Sequence, residues 1–311
     1  MGVSCYWDVE LIDAATGLVK QHVPWHKNCM LDAGLNLMVA GNWSWGQYSP
    51  EYIAVGSGNS TPVSTQTGLD VQIVRKVRRN DGEFYTSYVA DANPITASML
   101  RGTQFTTGEA NGTIREMGIV TASTGGTFLN RDLLRDVDGN PIEIVKTSAD
   151  LLNIKVKYVI GRMSETPFTT VLTDNKGTEY TVKGMVMNVG LKNFFSPYCW
   201  QEGGDSLYAG TNNTTDPAPA DTTVKGTAIG AIFQSSPPAV PGTPHSGPIG
   251  GFYRDFTFTL PTNQANGDIG EIIFNHPTYG QKSTRVTFTP KLAKTTARQI
   301  AITLRYSIAG V

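Results

Sequence analysis

Charge is scarce in this sequence. Asp, Glu, Lys and Arg make up 16% of its 311 residues, against ~25% in an average soluble domain. With 25 basic and 26 acidic side chains the net charge is -1, so no basic field exists to hold a nucleic acid or an anionic membrane surface. No apolar run approaches the ~20 residues of a membrane span, and Met1 to Glu10 lacks the basic-then-apolar layout of a signal peptide. These absences predict a soluble protein made in the cytosol, with neither nucleic acid nor membrane as partner. Cys5, Cys29 and Cys199 are the only cysteines. Odd in number and never in a C-x-x-C spacing, they exclude a disulfide framework or a zinc site and read as reduced core residues.

What is abundant is glycine, 33 residues, and threonine, 37, a composition suited to short strands and many turns. Sliding the sequence along itself by about 150 residues brings the same landmarks into register. Leu11–Gly17 is echoed by Val171–Gly177, and Asp32-Ala33-Gly34-Leu35-Asn36 by Asn188-Val189-Gly190-Leu191-Lys192. Tyr52-Ile53-Ala54-Val55-Gly56 is echoed by Leu207-Tyr208-Ala209-Gly210. Ala110-Asn111-Gly112 with Glu116 returns as Ala265-Asn266-Gly267 with Glu271, and Lys146-Thr147-Ser148-Ala149 as Lys294-Thr295-Thr296-Ala297. Five landmarks in order predict a tandem duplication, with domains at 1–163 and 164–311 separated near Gly161 to Phe168.

Within each copy the apolar pattern mostly has period two. Ile154, Val156, Tyr158 and Ile160 alternate with Asn153, Lys155 and Lys157, as Ile302, Leu304, Tyr306 and Ile308 do with Ala301, Thr303, Arg305 and Ser307; each set predicts a half-buried antiparallel strand. One segment per copy has helical spacing: Leu31, Leu35, Met38 and Val39 with Asp32 as N-cap and Gly41 as stop, and Leu191, Phe194 and Phe195 capped by Asn188. The predicted fold is mainly β, two tandem sandwich-like domains with one short α-helix each.

Motifs that bear chemistry come to little. Val55–Pro62 is Gly-rich but has no Lys to reach a phosphate, so it reads as a surface loop. Asp136, Asp138 and Asn140 open like a calcium loop, yet Thr147 stands where the bidentate Glu belongs, and a turn is the better reading. His22 and His26 are separated by Pro24 and Trp25, and no carboxylate pattern completes a metal site. Glu116 and Glu271 occupy equivalent positions in different copies; their expected task is structural, accepting hydrogen bonds from backbone or from Arg115. Trp43, Trp45 and Tyr48 form an aromatic stretch suited to core packing or an inter-subunit contact, or to stacking on a sugar. Pro237, Pro238, Pro241, Pro244 and Pro248 lie in a Pro-rich stretch at 235–251, which cannot be a central strand because proline cannot donate ladder hydrogen bonds; it reads as an extended arm on a neighbouring subunit or as a loop that touches nothing. No catalytic, metal or cofactor residue is assigned.

The order Tyr52-Ile53-Ala54-Val55-Gly56, then Gly108–Gly118, then Leu129-Asn130-Arg131 resembles that of tailed-bacteriophage virion proteins, tail or tail-fibre associated. Copy one matches nearly throughout, whereas copy two is degenerate and lacks the "LLNR" element. The resemblance implies a non-enzymatic structural component of a virion, assembled in the host cytoplasm. Its partners would be other virion proteins and further copies of itself in a symmetric homo-oligomer. Tail adaptor, baseplate or fibre base is the expected position. The alternatives are a head decoration or neck protein, and a carbohydrate-binding module that recognises host surface glycans.

Overall fold

The computed structural model describes residues 2–39, 51–84, 86–92, 95–161, 167–186, 206–218, 225–233, 244–245, 252–260, 262–276 and 281–310. The chain is mainly β, in several largely antiparallel sheets with one α-helix among the described residues. In chain order the first half carries β1 (Gly2–Asp13), β2 (Val19–Lys27), β3 (Cys29–Met30), α1 (Asp32–Val39), β4 (Tyr52–Gly56), β5 (Gln72–Val77), β6 (Thr86–Ala92), β7 (Ile95–Phe105), β8 (Gly112–Ile114), β9 (Glu116–Val120), β10 (Phe128–Leu133), β11 (Ile144–Lys146) and β12 (Asp150–Gly161). The second half carries β13 (Phe168–Thr173), β14 (Glu179–Val186), β15 (Ser206–Gly210), β16 (Ala228–Phe233), β17 (Pro244–His245), β18 (Phe252–Leu260), β19 (Gly267–His276), β20 (Gln281–Lys294) and β21 (Ile300–Gly310).

The longest sheet runs β17-β18-β21-β1-β12-β7-β6, with β2 also paired to β1. It draws strands from both halves of the sequence. β1 lies antiparallel to β12 from Gly2↔Gly161 to Asp13↔Asp150, and its first residues run parallel to the end of β21, Gly2 opposite Ala309 and Val3 opposite Gly310. A five-stranded sheet, β3-β10-β9-β4-β5, faces it in the first half, and a six-stranded sheet, β13-β14-β20-β19-β15-β16, belongs to the second.

Alternation in β12 places Ile154, Val156, Tyr158 and Ile160 at zero exposure, packed with Trp7 and Val9 of β1 and Ile119 of β9. Lys157 on the opposite face is exposed, but Asn153, predicted to share that open face, is buried because Gln104 of β7 donates to its side-chain oxygen at 2.8 Å. In β21 Ile302 is buried and Ala301 exposed, the predicted parity; the side chains of Leu304, Tyr306 and Ile308 lie outside the described ones. The helix forms as its spacing predicts, with Leu31, Leu35 and Met38 buried. Its cap differs: Leu31 supplies the first helical carbonyl, accepting from the Leu35 amide at 3.0 Å, and Asp32 already belongs to the first turn, its own amide donating to the Ser64 carbonyl. Gly41 and residues 188–195, where the second helix was expected, lie outside the described residues.

Two clusters make up most of the core. One gathers residues 3–160 with Phe252 of β18; the other is confined to residues 180–302. Cys5 is buried in the first and Cys29 is half-buried, both as thiols; Cys199 is outside the described residues. The Asp136–Asn140 segment is a turn. Asp136 Oδ1 accepts the Asp138 and Asn140 amides at 3.0 and 2.8 Å, and Gly139 has φ +83°.

Candidate functional site

Glu116 opens β9 opposite Gly56, the last residue of β4, and is fully buried. Its Oε1 accepts the amides of Gly58 (3.0 Å) and Val71 (2.9 Å), and its Oε2 the amide of Asp70 (3.0 Å). Arg131, reaching over from β10 and also fully buried, donates from Nε to Oε2 at 2.9 Å. Its remaining donors go to Gln66 Oε1 (2.6 Å), the Ser60 carbonyl (3.2 Å) and Asp70 Oδ2 (2.8 Å). Ser60 and the Arg131 guanidinium hold the Asp70 carboxyl below the usual carboxylate range. The Gly-rich loop predicted after β4 therefore cradles an anion, but the anion is a carboxylate of the same chain. The Gly58 and Ser60 amides of that loop are taken up by Glu116 and Asp70 and the Ser57 amide by the Val71 carbonyl, so these donors are already satisfied. Glycine is required beside it: a Cβ at Gly56 would stand 2.5 Å from the Val71 carbonyl and 2.6 Å from Glu116 Oε1.

Glu271 of β19 sits opposite Gly210 of β15 in the same fashion. Its Oε1 accepts the amides of Lys225 (2.8 Å) and Gly226 (2.7 Å), and its Oε2 accepts Arg285 Nε at 2.8 Å. Arg285 also reaches the Asp216 carbonyl at 3.2 Å, so this pair clamps the 211–227 connection as the first clamps the 57–71 loop. The two pairs share their strand registers. Arg131 lies opposite Cys29 and Gly118, Arg285 opposite Met185 and Ile273. The sequence expectation of a structural carboxylate holds for both, but Arg115 is not the partner; it turns outward to Glu143, Nη2 to Oε2 2.7 Å. Neighbours along a strand point to opposite faces, so Arg115 cannot reach the side Glu116 occupies.

A second pair of centres lies at the Ala-Asn-Gly turns. Lys146, buried at the end of β11, donates to the Thr106 carbonyl (2.8 Å) and Asn111 Oδ1 (3.1 Å); Lys294, buried at the end of β20, donates to Asn266 Oδ1 (3.1 Å). Burial lowers both ammonium pKa values. Ala110 and Ala265 adopt φ +56° and +49°, a left-handed backbone rare for alanine, and Gly112 and Gly267 follow at +130° and +142°.

Sequence spacing could not reveal the buried cluster of Glu51, Arg78 and Arg101, drawn from a strand approach, the end of β5 and β7. Arg78 Nε lies 3.2 Å from Glu51 Oε2, and Arg101 Nε 3.9 Å. Burial outweighs both arginines and pushes the Glu51 carboxyl up to about 7. A carboxyl raised in the folded state binds its proton more tightly there than in the unfolded chain, so its contribution favours folding at low pH. That contribution fades as pH climbs from the ordinary value of 4.5 through about 7. Glu51→Gln is expected to flatten the fall in stability over that window, measured by chemical denaturation at pH 5 and pH 8.

The histidines divide. His26 bonds to the Pro24 carbonyl, while His22 Nε2 lies 2.9 Å from Asp8 Oδ2. Asp8, Glu10 and His22 bring three ligand atoms within 4.8 Å of one another, the one such group of three among the described residues. Lys155 stands cross-strand from Asp8, and its ammonium offsets the negative charge a cation would need. Of the predicted contact residues, Pro244 forms β17 at the edge of the long sheet, where proline is tolerated. Trp43, Trp45, Tyr48, Pro237, Pro238, Pro241 and Pro248 lie outside the described residues. Comparison of the chain with protein-family models, with curated proteins and with solved structures finds no match.

Proposed function

We propose that this chain is a non-enzymatic structural component of a tailed-phage virion, tail-associated, built from two copies of one fold and acting through symmetric assembly. The observation that carries the duplicated architecture is the recurrence of whole centres. A buried Glu–Arg pair clamping a loop, in one strand register, and a buried lysine on an Ala-Asn-Gly turn with left-handed alanine, occur once in each half. The virion assignment rests on the motif resemblance of the first half. The chemistry agrees with it: Glu116 and Glu271, the carboxylates at equivalent positions, have no exposed surface and are occupied by amides and guanidinium groups. A charge-poor, threonine-rich chain also makes large contacts without desolvating many ions.

Electron microscopy of purified particles with this chain located tests the assignment, with a glycan-array screen beside it. Fixed copies at a symmetric tail position without sugar binding support the reading. Glycan binding by an isolated chain that no particle incorporates would replace it with the carbohydrate-binding alternative. An experimental structure in which 1–163 and 164–311 have unrelated topologies would remove the duplication.

A further inference from the structure

In the first half β1 lies between two partners: β2 on one side, and β12 along twelve residues on the other. Eight of its twelve residues are buried and none is exposed. The hairpin turn is tied to the start of β12 as well. The Ala14 amide donates to the Ala149 carbonyl at 2.9 Å, and Lys20 Nζ meets Asp150 Oδ1 at 2.7 Å.

The corresponding hairpin of the second half, β13–β14, is seated differently. β14 pairs with β20, but β13 pairs with β14 alone among the described residues, and all six of its residues are exposed. Phe168, Val171 and Leu172 are 48%, 55% and 44% exposed on a strand with an open edge. β21, the counterpart of β12, pairs with β18 along Ile300–Leu260 to Ile308–Phe252, and among the described residues its other edge meets only β1, at Ala309 and Gly310. Arg298 stands where the first half has Asp150, and it turns back to the Ala293 carbonyl. The β13–β14 turn closes on itself through Asp174. A cleft of about 720 Å³ separates that turn from the start of β21, lined by Asp174, Tyr180, Arg298 and Ile300 among others.

Among the described residues one chain thus carries two complementary edges without a strand partner, and its own first half shows how such edges fit. We infer that β13 of one copy adds to the β21 edge of a second copy of this chain, antiparallel, in the register that β1 and β12 use. Open strand edges of this kind are templates for strand addition. Because the two edges are different surfaces the contact is heterologous, repeating from chain to chain until it closes. The inference rests on the duplicated architecture proposed above and names the contact that assembly would use.

Mixed single-cysteine variants of the full chain test it. Asp174 accepts turn amides as Asp13 does, so the two hairpins align on these aspartates, one residue from the Gly17–Gly177 sequence match; with Leu11 opposite Leu152 in the first half and Ile300 matching Leu152, Leu172 falls opposite Ile300. Leu172→Cys on one chain and Ile300→Cys on another, distinguished by a size tag, should form a disulfide-linked heterodimer at least about tenfold more readily than a control pairing Ile300→Cys with Val137→Cys on an exposed turn. Sedimentation velocity of the unmodified chain should give a mass above the monomer. Adjacent residues of a strand direct their amides to opposite sides, so one of Thr170→Pro and Val171→Pro removes an outer donor while sparing the β14 ladder. That variant should sediment as a monomer with an unchanged thermal transition. A monomeric unmodified chain, or a disulfide that forms only within a single chain carrying both cysteines, would overturn the inference. Two superposable halves in a monomeric chain would sink the strand addition alone, and unrelated halves would sink the architecture with it.

Discussion

Arg131→Ala should lower the stability of the first half by about 3 to 5 kcal/mol, the cost of leaving a buried charge without its partner. Glu116 would keep its three amide donors but lose the guanidinium that neutralises it, in a place where neither group has any exposed surface. The loss also releases Ser60, Gln66 and Asp70, which Arg131 holds against the sheet, so the 57–71 loop should open before the global transition. Denaturant titration gives the magnitude, and hydrogen exchange at the Gly58, Asp70 and Val71 amides reports the loop. Arg285→Ala is expected to act likewise on the 211–227 connection, at the Lys225 and Gly226 amides. A cost below 1 kcal/mol at both sites would mean that solvent reaches these pairs and that they do not anchor the loops.

Ile154→Ala should cost about 2 to 5 kcal/mol, because a fully buried side chain among Trp7, Val9 and Ile119 leaves a cavity that strands on both faces cannot close. Ile302→Ala should fall at the lower end of that range, since Ile302 retains 8% exposure and part of its surface is already in contact with water. The comparison is best made by the shift in denaturation midpoint at constant slope. Equal costs at the two positions would contradict the difference in burial.

The strand faces were legible because period two survives wherever one side of a strand meets a core, as Ile154 to Ile160 illustrate. Asn153 shows the limit: alternation reports the side on which a residue lies, and a neighbouring strand can cover that side as well. Glu116 and Glu271 were found through their repeated positions, whereas their partners were not. Arg131 lies fifteen residues from Glu116 and Arg285 fourteen from Glu271, separations that become contact only when β9 pairs with β10 and β19 with β20. Arg285 was hidden further, since Ser283-Thr284-Arg285 retains only the arginine of the motif. Glu51, Arg78 and Arg101 carry no spacing signal, because they come together from the residue before β4, the residue after β5 and the middle of β7. His22 and Asp8 carry no spacing signal for a related reason: only the pairing of β2 with β1 brings them together.

The parallel contact of β1 with β21 joins residues almost the whole chain apart, Gly2 with Ala309. Among the described residues every other strand paired with β1 lies within the first 161 residues, so the first half can complete its own sheet while the ribosome is still reading the second. The last bond of that long sheet must wait until translation reaches Gly310. It is the contact with the greatest loop to close, and its formation should mark the final and slowest step of folding.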